Sequence, residues 1–294
     1  MAKPVVFVIG ASGNIGLASL QSLSSLYSNQ LEIRAGVRDP DKAEKVKALP
    51  GVIVVKATQG DKEQLVKIFT GVNCVFIVTP PTENRAELAI KTAEAAKEAG
   101  VEHLLVVSVP LIELTDIIVG KQFRELEESI SKLGVPYTFL RLPMFTESYF
   151  RYKQTIQKMS TIITPLDPTK PYTSVVVAEA GKAAAAILAD CSKHINKVYT
   201  IVSNRHTFND VAKAFSEALG REVTITTSTY EDTERSLSGL GILQPWLIQS
   251  IIEMYKAVDT GLAPSETTSH YKDITGEDPT SLKDWVNAVA PAFK

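Results

Sequence analysis

Short runs of β-branched and other apolar residues recur along the first half of the chain, and stretches with helical spacing of apolar positions separate them. The runs at residues 5–9, 31–37, 52–56, 73–79, 103–108 and 137–142 predict six strands. They are unbroken rather than alternating, the pattern of strands covered on both faces. Residues 17–27, 41–49, 61–69, 84–99 and 121–133 predict the intervening helices. Asp61 and Gln64 stand at capping-box spacing, and Gly100 stops the long helix before it. Strand and helix in strict alternation predict an α/β fold, a doubly wound parallel sheet.

The rhythm changes after Pro143. Helices are predicted at residues 178–189, 207–219, 231–237, 246–254 and 282–288, with strand-like pieces at 197–202 and 222–227. This predicts a parallel α/β domain over residues 1–145 and a smaller, mostly helical lobe over 146–294, with 197–203 returning to the main sheet. Internal repeats, low-complexity tracts and long linkers are absent, so the lobes are expected to pack closely around a cleft.

Composition adds mainly exclusions. A net charge of −2, with 45% hydrophobic and 22% charged residues, offers no basic face for direct nucleic-acid or membrane-surface binding. No stretch reaches the roughly 20 apolar residues of a membrane span, and the start of the chain lacks a signal-peptide pattern. A cytoplasmic protein is expected. Cys74 and Cys191 lie far apart, and Cys74 sits in an apolar run, so unpaired thiols are expected rather than a disulfide. The four histidines, His103, His194, His206 and His270, show no metal-ligand spacing, and no metal site is expected.

The chemistry-bearing motif is the run Gly10-Ala11-Ser12-Gly13-Asn14-Ile15-Gly16, between the first strand and the first helix. Glycines there permit a tight turn and close backbone approach, and a helix N-terminus favours the anionic pyrophosphate of a dinucleotide. The nucleotide type is read at the end of the second strand. In place of an acid for the ribose hydroxyls stand Gly36, Val37 and Arg38. A guanidinium pairs with the 2′-phosphate of NADP, Gly36 leaves room for it, and NADP(H) is preferred, with NAD(H) as the alternative. Asp39 is a competing ribose ligand.

Several segments together resemble the NmrA-like family of atypical short-chain dehydrogenases: VIGASGNIG, AGVRDPDKA, GVNCVFIVTPP, AAKEAGVEHLLVVS, LGVPYTFLRLPMFTESY, VVVAEAGKAAAAIL and TGEDPTSLKDWV. The resemblance spans nearly the whole chain. It implies a Rossmann domain with a small C-terminal substrate lobe, and a function among NADPH-dependent quinone reductases, isoflavone-type reductases or cofactor-sensing regulators. Arg38 falls at the family's phosphate-binding arginine. Thr58 stands where relatives often have an aspartate facing the adenine, which leaves that contact to the backbone of Thr58 and Gln59. Thr79 and Pro80 match positions lining the ribose and nicotinamide. Pro143, Met144 and Phe145 match the segment beneath the nicotinamide ring, although apolar packing between lobes explains them equally.

The catalytic positions match only in part. Lys121 falls at the lysine of the Tyr-x-x-x-Lys pair, but Ile117 stands four residues earlier in place of the tyrosine. Lys121 reads as an acid/base, a ribose ligand or a surface lysine. Ser108 reads as a holder of substrate oxygen or as a hydroxyl closing a strand. Loss of the tyrosine selects against ketone reduction more than quinone reduction, because a quinone gives a phenolate-like product with a pKa of roughly 10 that water can protonate. Tyr149, Tyr152 and Trp246 are candidates to line a cleft for a planar substrate. Two functions stay open: an NADPH-dependent reductase of quinones or conjugated carbonyls, and a non-catalytic NADP(H) or redox sensor that regulates a protein partner. The chain is expected to be a monomer or a homodimer.

Overall fold

A computed structural model describes residues 2–294. The first half forms β1 (Val5–Ile9), α1 (Asn14–Tyr27), β2 (Glu32–Val37), α2 (Glu44–Lys47), β3 (Val52–Lys56), α3 (Lys62–Phe69), β4 (Cys74–Ile77), α4 (Arg85–Glu98), β5 (His103–Ser108), α5 (Ile118–Ser131) and β6 (Tyr137–Arg141). The second half forms β7 (Met144–Phe145), a 3-10 turn over Thr146–Tyr152, α6 (Lys153–Met159), β8 (Thr161–Thr164), β9 (Tyr172–Val175), α7 (Val177–Ala189) and β10 (Lys197–Thr200). It continues through β11 (Asn204–His206), α8 (Phe208–Leu219), β12 (Thr224–Thr227), α9 (Tyr230–Gly239), α10 (Pro245–Asp259), α11 (His270–Thr275) and α12 (Leu282–Val289).

Seven strands build one sheet in the order β10-β6-β5-β4-β1-β2-β3, every neighbouring pair parallel. The alternation of side chains along β1 explains the layering. Val6 and Val8 enter one core with residues of α1 and α7, while Phe7 and Ile9 enter the other with residues of α3, α4 and α5. Chain order reverses between β1 and β4, so a crevice opens beyond their carboxyl ends, where ligands of open α/β sheets bind.

Two expectations are corrected here. Residues 178–189, placed by sequence in the second lobe, form the greater part of α7 and lie against α1 in the main core. The approach is close: a β-carbon on Gly181 would stand 2.5 Å from the carbonyl carbon of Ala18. An alanine-rich helix reveals its burial in sequence but not its partner. Cys74 and Cys191, expected to be unrelated thiols, are brought side by side across 117 residues, the start of β4 meeting the turn after α7. Sequence separation carried no sign of that proximity.

The second lobe has its own core, with Tyr149, Tyr152, Ile156, Phe208, Phe215, Trp285 and Phe293 buried together. Two small sheets, β11-β9-β7 and β12-β8, frame it. Residues 197–200, as β10, extend the edge of the main sheet beside β6. Among the described residues no helix is long and apolar enough to cross a membrane.

Candidate functional site

The glycine turn lies at the carboxyl end of β1, on the switch point of the sheet. Gly10 has φ +79°, and a β-carbon there would stand 2.1 Å from the Val78 carbonyl oxygen. One on Gly16 would stand 2.3 Å from the Gly10 oxygen. Both positions therefore exclude any side chain, which lets the turn fold back on itself and on the end of β4. Ala11 N–H donates to the Gly36 carbonyl at 3.2 Å, pinning the turn to the end of β2.

The exposed face of the turn differs in character. Ser12, Gly13 and Asn14 are open to solvent, and a β-carbon on Gly13 would meet only the Gly10 oxygen, at 3.4 Å. Gly13 caps α1 with extended backbone and no side chain, and the first turn carries no acid. The N–H groups of Asn14, Ile15 and Gly16 have no backbone acceptor among the described residues. Free donors at the positive end of a 14-residue helix, with space in front of them, make an open cradle whose chemistry suits an anionic group. Buried Ala11 and Ile15 hold its underside.

Arg38 follows β2 at the rim of the turn, exposed, with no ion pair or hydrogen bond among the described residues. Asp39 is otherwise engaged: its carboxylate caps a short 3-10 turn by accepting Asp41 N–H and pairs with Lys42 at 3.4 Å. That leaves the cation, not the acid, available to a ribose substituent. Gly36 serves a different purpose from the one expected. A β-carbon there would stand 2.5 Å from the Phe7 ring, so the missing side chain makes room for the core and not for a phosphate.

On the adenine side, the Thr58 N–H is taken by Gln64 Oε1 at 2.8 Å, while Gln64 N–H donates to the Asp61 carboxylate. The Thr58 backbone donor is therefore spent inside the α3 cap. Gln59 instead reaches the turn, its Nε2 donating to the Val78 carbonyl at 2.7 Å, with its Oε1 buried and unpartnered. Thr79 and Pro80 leave β4 beside it. Gln122 of α5, not singled out in the sequence, braces the loop that follows by donating to the carbonyls of Thr82 and Glu83.

Ser108 is fully buried, and its hydroxyl donates to Glu127 at 2.5 Å. Glu127 also accepts Arg141 Nε at 2.9 Å and Nη2 at 2.6 Å, so β5, α5 and β6 share one network. A hydroxyl proton committed there is not available to a substrate oxygen. Ile117 is the N-cap of α5 and its carbonyl accepts the Lys121 N–H at 3.0 Å, so the two stand one helical turn apart with an isoleucine where the tyrosine of a Tyr-x-x-x-Lys pair would be. Lys121 stands in the first turns of α5, exposed and without an ion pair among the described residues. The start of α5 is capped from the second lobe, where Glu253 of α10 accepts the Ile118 N–H at 2.8 Å.

A cleft of about 770 Å³ lies between the loop after β4 and the α9–α10 connection, lined by residues including Pro81, Thr82, Leu243 and Trp246. Trp246 is thus a wall of the cleft. Tyr149 and Tyr152 line neither this cleft nor its neighbour along α10, which corrects their assignment. Tyr149 is fully buried with its hydroxyl bonded to Tyr172 and His206, and Tyr152 packs edge-on to Phe208. Aromatic rings in a small lobe supply most of its core, and these two are used that way. Pro143, Met144 and Phe145 are half-buried where the chain leaves β6, and β7 pairs there with β9.

A seven-stranded parallel sheet with an open glycine cradle at its switch point defines a dinucleotide-fold protein of the Rossmann class. A family model described as the NmrA-like family matches residues 2–275, and the chain belongs to that family. It is similar to an NAD(P)H azoreductase of Xenophilus azovorans, 26% identical over 98% of this chain and 99% of that protein. It is similar to quinone oxidoreductase 2 of Escherichia coli, 25% identical over 81% and 82% of the two chains. Among solved structures it is similar to the triphenylmethane reductase of Citrobacter sp. complexed with NADP(H), with TM-score 0.84 and 26% identity over 97% and 99% of the chains.

Proposed function

We propose that this chain is an NADP(H)-dependent reductase of quinones or related conjugated carbonyls. The observation that carries the reading is the cradle: free N–H groups at Asn14, Ile15 and Gly16, open space over Gly13, and an unengaged Arg38 at its rim. The cradle suits the pyrophosphate and Arg38 the 2′-phosphate, so the donor set fits NADP(H) better than NAD(H). The relatives named for azo, quinone and triphenylmethane reduction point the same way.

When bound, the reduced nicotinamide supplies a hydride. The chain's own part is to hold and shield. Pro143, Met144 and Phe145 are assigned to the floor of the ring site, Thr79 and Pro80 to its side, and Gln59 to the adenine end. Trp246 offers a flat apolar wall to a planar acceptor. Lys121, exposed in the first turns of α5, is assigned to the ribose or the substrate oxygen. Ser108 is assigned to the fold. With no proton donor at the Ile117 position, the product must be an anion stable enough to wait for water, which a phenolate with a pKa of roughly 10 is and an alkoxide is not.

Steady-state NADPH oxidation with a panel of quinones and enones tests this. Turnover above the no-protein rate is expected for quinones and not for simple ketones. The second reading, a cofactor-sensing regulator, draws on the same lack of a donor. It gains if no acceptor is reduced while NADPH still changes partner binding or oligomeric state.

A further inference from the structure

The two walls of the cleft come from different lobes, and both are tied to the start of α5. One wall is the loop after β4, with Pro81, Thr82 and Glu83; the other is the first turn of α10, with Pro245 and Trp246. Gln122 holds the loop. It is buried and donates from Nε2 to the carbonyls of Thr82 at 3.3 Å and Glu83 at 2.9 Å. The next residue, Phe123, seats the Arg85 guanidinium 4.8 Å from its ring centroid, and Arg85 Nε donates to the Pro80 carbonyl.

The α10 wall is held from the same turn. Ile118 N–H donates to Glu253 Oε2 at 2.8 Å, and Gln249 Nε2 fixes the other carboxylate oxygen at 2.8 Å. Glu253 follows Trp246 by seven residues, so the tie and the wall share one face of α10, roughly 10 Å apart along its axis. Trp246 lines both the cleft and a second cavity of about 490 Å³, so close packing does not fix it from behind. Ile118 and Gln122 stand four residues apart on one face of α5. The turn between them is itself seated tightly: a β-carbon on Gly120 would stand 2.0 Å from the Leu114 carbonyl oxygen. A single packed turn therefore carries the hydrogen bonds that locate both walls.

We propose that Gln122 and Glu253 are positioning residues that set the separation of Trp246 from the Thr82–Glu83 loop, and with it the affinity of the cleft for a planar guest. The inference rests on the reductase reading for the identity of that guest, but not for the two ties. Neither residue takes part in the hydride step; each acts through the wall it holds.

Binding of 2-methyl-1,4-naphthoquinone to the full chain loaded with NADP⁺ tests it with no hydride to transfer. Quenching of Trp246 fluorescence reports occupancy, since the other tryptophan, Trp285, is buried in the second-lobe core. Saturable binding is expected for the native chain. Glu253→Ala and Ile118→Pro cut the same bond from its two ends. The second keeps the carboxylate, and proline suits the first position of a helix after an extended N-cap. Both are expected to weaken the quinone by a like factor, roughly three- to tenfold, with NADP⁺ affinity unchanged. Gln122→Met, similar in length but without the donor, is expected to weaken it comparably. Glu253→Gln keeps a carbonyl oxygen for Ile118 N–H and should restore most of the affinity. Native quinone affinity in Gln122→Met, or in either variant of the Ile118–Glu253 bond that folds, overturns the proposal even if the thermal midpoint falls, because a purely structural tie behaves that way. No saturable binding by the native chain overturns it too. The expected losses in quinone binding, found without any NADPH turnover, would sink only the reductase reading.

Discussion

The carbonyl oxygen of Val78 occupies the place a side chain on Gly10 would need, 2.1 Å from where its β-carbon would stand. The two residues directly follow adjacent strands, β1 and β4, so the contact closes the sheet at the point where the glycine turn begins. Gly10→Ala is therefore expected to damage the fold itself, since the neighbour is backbone and cannot step aside, and φ +79° is unfavourable for alanine as well. Gly13→Ala is expected to differ. Its β-carbon would meet only the Gly10 oxygen, at 3.4 Å, next in the chain to the free N–H groups of the first turn. A near-native thermal midpoint with lost NADPH affinity is expected for Gly13→Ala, and loss of both for Gly10→Ala. Cofactor titration with circular-dichroism melts separates the two. Equal NADPH affinity in Gly13→Ala and the native chain would show that the cradle does not hold the cofactor.

Arg38 and Asp39 stand side by side, and the structure commits the acid to Asp41 N–H and Lys42 while leaving the cation free. Arg38→Ala is expected to weaken NADPH roughly ten- to hundredfold and leave NADH nearly unchanged, by loss of a charge-assisted contact to the 2′-phosphate. The informative quantity is the ratio of the two Kd values. If both cofactors weaken together, Arg38 supports the turn and does not read the phosphate.

Those two residues also show how far sequence reaches. The turn was legible because its glycines encode backbone geometry directly, and the alternation of strand and helix around it encodes the sheet. Arg38 was legible because strand length fixes its place at the rim. Gly36 looked like part of the same message, yet its missing side chain answers to Phe7 beneath it. Tyr149, Tyr152 and Trp246 were indistinguishable as aromatic residues near a lobe boundary, and only packing sends two inward and leaves one on the cleft. The proximity of Cys74 to Cys191 and the packing of α7 on α1 depend on contacts between distant segments, which local pattern does not carry.

Ser108, Glu127 and Arg141 offer a test of chemistry against architecture. Glu127→Ala leaves a partly buried guanidinium without its carboxylate, and a loss on the order of 3 kcal/mol is expected in denaturant titration. Ser108→Ala removes one hydrogen bond to that carboxylate, with an expected cost of about 1 kcal/mol and quinone turnover retained. The reverse outcome for Ser108→Ala, native stability with turnover lost, would return the hydroxyl to the active site.

His206 and His103 set the acid limit of the fold. Burial holds His206 down to about 4 against an ordinary value of 6.5, only weakly opposed by Asp210. Burial, with a smaller repulsion from His194, likewise holds His103 to about 4. In each ring Nε2 meets a hydroxyl, of Tyr149 or of Thr138, and Nδ1 is buried with no partner. An added proton would have no acceptor. The unfolded chain takes up these protons near 6.5 and the folded chain only near 4. The stability of the neutral rings is thus fully present above about 6.5 and lost as pH falls toward 4, by on the order of a few kcal/mol for each. The thermal midpoint is expected to fall through that window, against the background of carboxylates titrating at its lower end. His206→Gln keeps a polar group near Tyr149 and cannot be protonated, so its midpoint should fall less steeply than the native one between neutral pH and about 4. Parallel slopes for the two proteins would show that His206 does not carry the acid sensitivity.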